Sequence, residues 1–193
     1  LLLLLKINLS SVERQQLLNF IQTNKQIDAI ELLLFFMAQF DQVFQKVSQD
    51  HAKLGWRGRE KGTIIPLFLL LLGKDIPSKA GHELFADVAY NLSSRDLTSI
   101  EKEFYDWKQT VTLTQAQKDT YLKWCKKEVK ARADAMIITK FRQHYGRMAA
   151  LVVSLGEAEE SCGITSAREK TIANYRKKHS RKSNFKAELD RLT

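Results

Sequence analysis

Apolar side chains recur at three- and four-residue steps along most of this chain. From Asp28 to Ser48, Ile30, Leu33, Leu34, Met37, Phe40, Val43 and Phe44 keep that spacing. It is the period of a helix and not the two-residue alternation of a strand. An earlier helix is predicted from Ser10-Ser11-Val12-Glu13, which has the form of a capping box, to about Asn24, with Leu17, Leu18, Phe20 and Ile21 on one side. Thr63 to Gly73 reads as a short buried helix with Pro66 in its first turn, or as a buried strand, since periodicity cannot separate the two in so short a run. Ser78 or Lys79 opens a further helix through Leu84, Phe85 and Val88 to Leu92. Ser93-Ser94 caps another, which carries Leu97, Ile100, Phe104 and Trp107.

Thr114-Gln115-Ala116-Gln117 is a second capping box. The stripe Leu122, Cys125, Val129, Ala133, Met136, Ile137, Phe141, Tyr145, Met148 and Val152 follows it. This predicts one long helix to about Leu155, with Gly146 its natural kink and Gly156 its end. Two shorter helices, Glu157–Cys162 and Ser166–His179, a turn at Ser180 to Asn184 and a last amphipathic segment with Phe185, Leu189 and Leu192 complete the chain. The expected fold is therefore all-α: a multi-helix bundle with one long central helix, a body over residues 1–155 and a small basic C-terminal helical appendage over 156–193.

Composition narrows the class. The chain has 193 residues, 44% of them hydrophobic, enough for a real core. Eight Gly and two Pro argue against a turn-rich β fold, and two Cys against a disulfide scaffold. The longest apolar run, Ile64 to Leu72, is far short of the ~20 residues of a membrane-spanning helix. Leu1 to Leu5 lacks the basic flank and cleavage pattern of a secretory signal. An intracellular, cytoplasmic protein is expected, and Arg176 to Lys182 has some likeness to a short nuclear-import cluster.

Charge points to a partner. The net charge is +9, and residues 101–193 hold 20 basic against 12 acidic groups, which leaves +1 for the first hundred residues. Such asymmetry suits an anionic partner, most often nucleic acid. Lys123, Lys126, Lys127 and Lys130 fall at steps that place them on one helical face, where they repel one another unless something negative lies near. The segment Arg142-Gln143-His144-Tyr145-Gly146-Arg147 is densely polar and places two more arginines for phosphate.

Cys162 to His179 has the parts of a helix-turn-helix: a short helix, a Gly corner at Gly163, apolar anchors Ile164 and Ile172, and a basic second helix. Arg168, Lys170, Thr171 and Asn174 are the expected outward set, with Arg and Lys suited to guanine and Asn to adenine. The corner is about three residues looser than the tightest form of the motif, and Glu169 stands where an apolar residue would pack. Arg176, Lys177 and Lys178 continue the basic run toward phosphates. In the Gly-rich stretch Lys53 to Gly62, Trp56 beside Arg57 and Arg59 could stack on a base or clamp a phosphate, although a loop anchor is the plainer role for Trp56.

Catalytic patterns are missing. The four His are scattered, Cys125 and Cys162 have no metal-ligand spacing, and neither a P-loop nor a GxSxG elbow occurs. Neither a metal nor any other cofactor is expected. The sequence therefore predicts a non-catalytic protein that binds DNA or RNA through basic helical faces. The alternative is a helical scaffold, or a small subunit of a larger protein or nucleoprotein complex, that meets protein partners or its own copies through the apolar N-terminal helices.

Overall fold

The computed structural model describes residues 29–49, 59–89, 97–138 and 144–193. Among them the fold is all-α, with eight helices and no strand. In chain order these are α1 (Ala29–Ser48), α2 (Arg59–Leu72), α3 (Lys79–Ala89), α4 (Leu97–Lys108), α5 (Gln115–Ile138), α6 (Tyr145–Ser161), α7 (Ala167–Lys178) and α8 (Ser183–Leu192). The helix expected to end near Asn24 lies outside the described residues, as do Trp56 and the Ser93-Ser94 cap.

Helix α1 follows the predicted stripe but bends at Gln39, where the backbone leaves the helical region (φ −148°, ψ 41°). Its aromatic residues meet those of three other helices. Phe36 sits edge-on to Phe68 of α2 at 4.9 Å, Phe40 lies 6.2 Å from Trp107 of α4, and Phe44 lies 5.7 Å from Trp124 of α5. Tilted and edge-to-face rings of this kind add to the burial energy of the core.

Helix α2 starts four residues earlier than the sequence suggested, so Pro66 sits in its interior and not in its first turn. Ile64, Ile65 and Leu67 to Leu72 are all buried, so this helix is covered on every side for its last two turns. A proline there removes the N–H that would bond the carbonyl four residues back, that of Gly62. Arg147 of α6 reaches over and donates to that oxygen in a long hydrogen bond of 3.4 Å.

The end of α2 is tied down by a buried lysine. Lys108 of α4 donates to the carbonyls of Gly73 (2.9 Å) and Lys74 (2.6 Å) and lies 3.4 Å from Asp75. A cation at a helix C-terminus meets its negative end. Ser78 caps α3 by accepting from the Gly81 amide at 3.0 Å. The capping box expected at Thr114 forms: its hydroxyl accepts from the Gln117 amide (3.2 Å) and Gln117 Oε1 accepts from the Thr114 amide (2.9 Å).

The long apolar stripe is shared between two helices. α5 ends at Ile138 and α6 begins at Tyr145, with 139–143 outside the described residues. Gly146 lies in the first turn of α6, and Gly156 lies inside α6 instead of closing it. Residues 157–161 are thus the last turn of α6, not a separate short helix, and the boundary drawn at 155/156 falls within it.

Helix α6 is the centre of the molecule. From Met148 to Glu159 every residue is buried, and α2, α3, α5, α7 and α8 all pack on it. Ile172 of α7 and Phe185, Leu189 and Leu192 of α8 belong to the same core as Phe68, Phe85 and Phe104. A helix covered on all sides must find partners for its own polar groups. Those partners determine which basic residues are left to face solvent.

Candidate nucleic-acid interface

Three acidic side chains near the core draw basic residues toward them. Glu157 of α6 is buried; it accepts from the Ser78 hydroxyl at 2.8 Å and forms an ion pair with Arg168 at 3.5 Å. Arg168 also donates to the carbonyls of Leu192 (3.4 Å) and Thr193 (3.3 Å), where α8 ends. Buried Glu159 is shared between two helices: Lys126 of α5 holds one carboxylate oxygen at 2.6 Å, and the Thr171 hydroxyl of α7 donates to the other at 2.6 Å. Asp87 of α3 pairs with Arg147 at 2.5 Å. Burial pushes Asp87 above the usual carboxylate range and Arg147 below the usual guanidinium range, and each partner's opposite charge works against that shift.

Several residues expected to face a nucleic acid are therefore turned to the protein itself. Arg147 lies between Asp87 and the Gly62 carbonyl, Arg168 between Glu157 and the chain's last carbonyls, and Thr171 against Glu159. Arg176 is ion-paired with Asp190 of α8, and Lys178 with Asp134 of α5 at 2.5 Å. Four of the five lie on α7, which packs so closely on α6 that it presents to its neighbours' carboxylates a side that the sequence alone would leave in solvent. Arg147 lies on α6 itself, and its carboxylate comes from α3, which packs on that helix. Arg57 and Arg142 lie outside the described residues, and Arg59 is the first residue of α2.

The corner between α6 and α7 is built differently from a tight helix-turn-helix. It takes a glycine with φ +94° at Gly163 and a left-handed Ser166 (φ 55°). Ile164, expected as an anchor, is exposed, whereas Ile172 is buried. Of the four residues proposed for the outward set, Lys170 and Asn174 are exposed.

A different group of lysines remains on the surface. On α5, Lys123, Lys126, Lys127 and Lys130 are all exposed and share one face, as their spacing predicts. Lys126 is held by Glu159, while Lys123, Lys127 and Lys130 make no ion pair among the described residues. On α7, Lys170, Asn174 and Lys177 are exposed; Lys170 donates to the Thr165 carbonyl at 3.2 Å, and neither lysine is ion-paired among the described residues.

Cross-helix contacts join these two helices. Lys126 and Thr171 meet at Glu159, and further along both helices Asp134 meets Lys178. Moving from Lys126 to Asp134 on α5 thus matches moving from Thr171 to Lys178 on α7, so the helices run in the same direction. These two helices together expose five lysines that form no ion pair among the described residues.

Other candidate chemistry is spread apart. Cys125 is buried on the apolar stripe, and burial pushes its thiol well above the ordinary range. His82 pairs with Glu101 of α4 at 2.8 Å, a partner its sequence neighbours do not reveal. Among the described residues no three His, Cys, Asp or Glu side chains converge to hold a metal ion, and no helix is long and apolar enough to cross a membrane. Compared with protein-family models, with curated proteins and with solved structures, the chain matches none.

Proposed function

We propose that this protein binds nucleic acid through its phosphate backbone, without regard to base sequence and without catalysis. One observation carries the proposal: Lys123, Lys127 and Lys130 of α5 and Lys170 and Lys177 of α7, on two helices joined through Glu159, are all exposed and none is ion-paired among the described residues. Like charges one helical turn apart, as on α5, favour a polyanion that neutralises them and releases its condensed counterions. Base reading draws less support, because Arg168 and Thr171 are engaged within the protein. Docking through apolar helices also has less to draw on, since the large apolar side chains exposed among the described residues are Ile76 and Ile164.

The test is the triple variant Lys123→Ala, Lys127→Ala, Lys130→Ala in the full chain, titrated against labelled nucleic acids of several sequences over a salt series. Affinity should fall by a similar factor for every sequence, and the slope of log K against log salt should flatten by roughly 2.7 on a duplex. Unchanged affinity would overturn the proposal.

A further inference from the structure

The two lysine rows run in parallel, and each covers seven residue steps, Lys123 to Lys130 and Lys170 to Lys177, or about 10 Å of helix. We infer that the ligand is a duplex whose two phosphate strands are met one by each row, an inference that rests on the phosphate-binding function proposed above. The two helices that carry the rows are fixed to each other by the Glu159 bridge and by the Lys178–Asp134 pair, so the rows keep one relative placement.

A single strand offers one line of phosphates and can satisfy one row at a time. It would otherwise be gripped by aromatic rings on which its bases stack. Among the described residues no Phe, Tyr or Trp ring is exposed: Tyr175 of α7 is half-buried and stacks on His179 at 6.1 Å, and Trp124 of α5 is buried. The face thus has charge for two backbones and no platform for bases. The lysines of both rows meet phosphate, which duplex DNA and duplex RNA share.

The arithmetic separates the cases. Five phosphate contacts on a duplex give a slope of roughly −4.5, a loss of about 500-fold in affinity between 50 and 200 mM salt. Three contacts on a single strand give roughly −2.1, a loss of about 20-fold.

The experiment is fluorescence anisotropy of the full chain with equal-length duplex DNA, duplex RNA and single-stranded DNA over that salt range. It is repeated for Lys170→Ala with Lys177→Ala and for Lys123→Ala with Lys127→Ala and Lys130→Ala. The wild-type chain should bind either duplex more tightly than the single strand and with the steeper slope. Removing the α7 row should flatten the duplex slope by roughly 1.8 and leave single-strand affinity unchanged. Equal affinity and equal slope for duplex and single strand would overturn the duplex assignment while leaving phosphate binding in place. Salt-independent binding, or binding to none of the three, would overturn both. Circular dichroism of each variant separates lost contacts from lost fold.

Discussion

A methyl group placed on Gly156 would sit 2.6 Å from the Cα of Arg168. The atom it meets is backbone, so nothing can swing aside, and α6 and α7 approach this closely because position 156 has no side chain.

Gly156→Ala should therefore push α7 off α6 and destabilise the fold by about 1–3 kcal/mol, the usual cost of overpacking. Gly163→Ala is the control. A Cβ there meets nothing within 4 Å, and only the backbone at φ +94° resists it. That substitution should cost about 1 kcal/mol and leave the helix contact intact. Chemical denaturation followed by circular dichroism measures both, and equal losses would argue against the close approach as the cause.

Arg147 and Lys127 should separate stability from binding. Arg147→Met leaves Asp87 largely buried without its cation and Gly62 without its donor, so the fold should lose about 2–4 kcal/mol. Adding Asp87→Asn should restore part of this. Neither change should alter the salt slope of nucleic-acid binding. Lys127→Ala should behave in the opposite way, with stability within ~0.5 kcal/mol of the parent and a slope flatter by roughly 0.9.

Lys126 stands between these cases. It is half-exposed, so solvent screens its pairing with Glu159, and Lys126→Ala should cost about 1 kcal/mol of stability. Its effect on the salt slope should be smaller than that of Lys127→Ala, because its charge is already met. A thermal melt and a salt titration on the same pair of variants decide this.

Stability should fall as the solution is acidified below neutrality. His179 is buried, and burial first, then the neighbouring Lys178, pull its pKa below the ordinary histidine value, with Asp134 opposing and Lys182 adding to the effect. A depressed folded-state pKa means that the unfolded chain takes up the proton first. The stability is full above the unfolded value of about 6.5 and is lost as pH falls from there toward the folded value. Thermal melts at pH 7.5 and pH 5.5 should show the drop, and His179→Phe should reduce it. An unchanged difference in that variant would assign the effect to other groups.

Much of the helix pattern was legible because it is local. Spacing alone places Leu33, Met37 and Val43 on one side of α1, and the Thr114–Gln117 box forms as read. The shared exposure of Lys123, Lys126, Lys127 and Lys130 was legible for the same reason. What the sequence could not display is the neighbour across the helix. Arg147, Arg168 and Arg176 look like surface cations in one dimension, and each is committed to a carboxylate or carbonyl at least 14 residues away. Asp87, Glu157 and Asp190, which look like ordinary solvated acids, are the carboxylates that draw them in. Glycine is ambiguous in a related way: Gly156 can end a helix or admit a neighbour, and only packing decides between them.

Pro66 also restricts how the helices slide past one another. The oxygen that it leaves without an N–H is met from α6 by a side chain that is also anchored to α3 through Asp87. Displacing α2 along α6 by a single turn would part that oxygen from its side-chain donor while the guanidinium stayed with Asp87. An apolar surface as uniform as Ile64 to Leu72 would fit many alignments about equally well. A defect in the backbone, mended from outside the helix, selects one alignment among them.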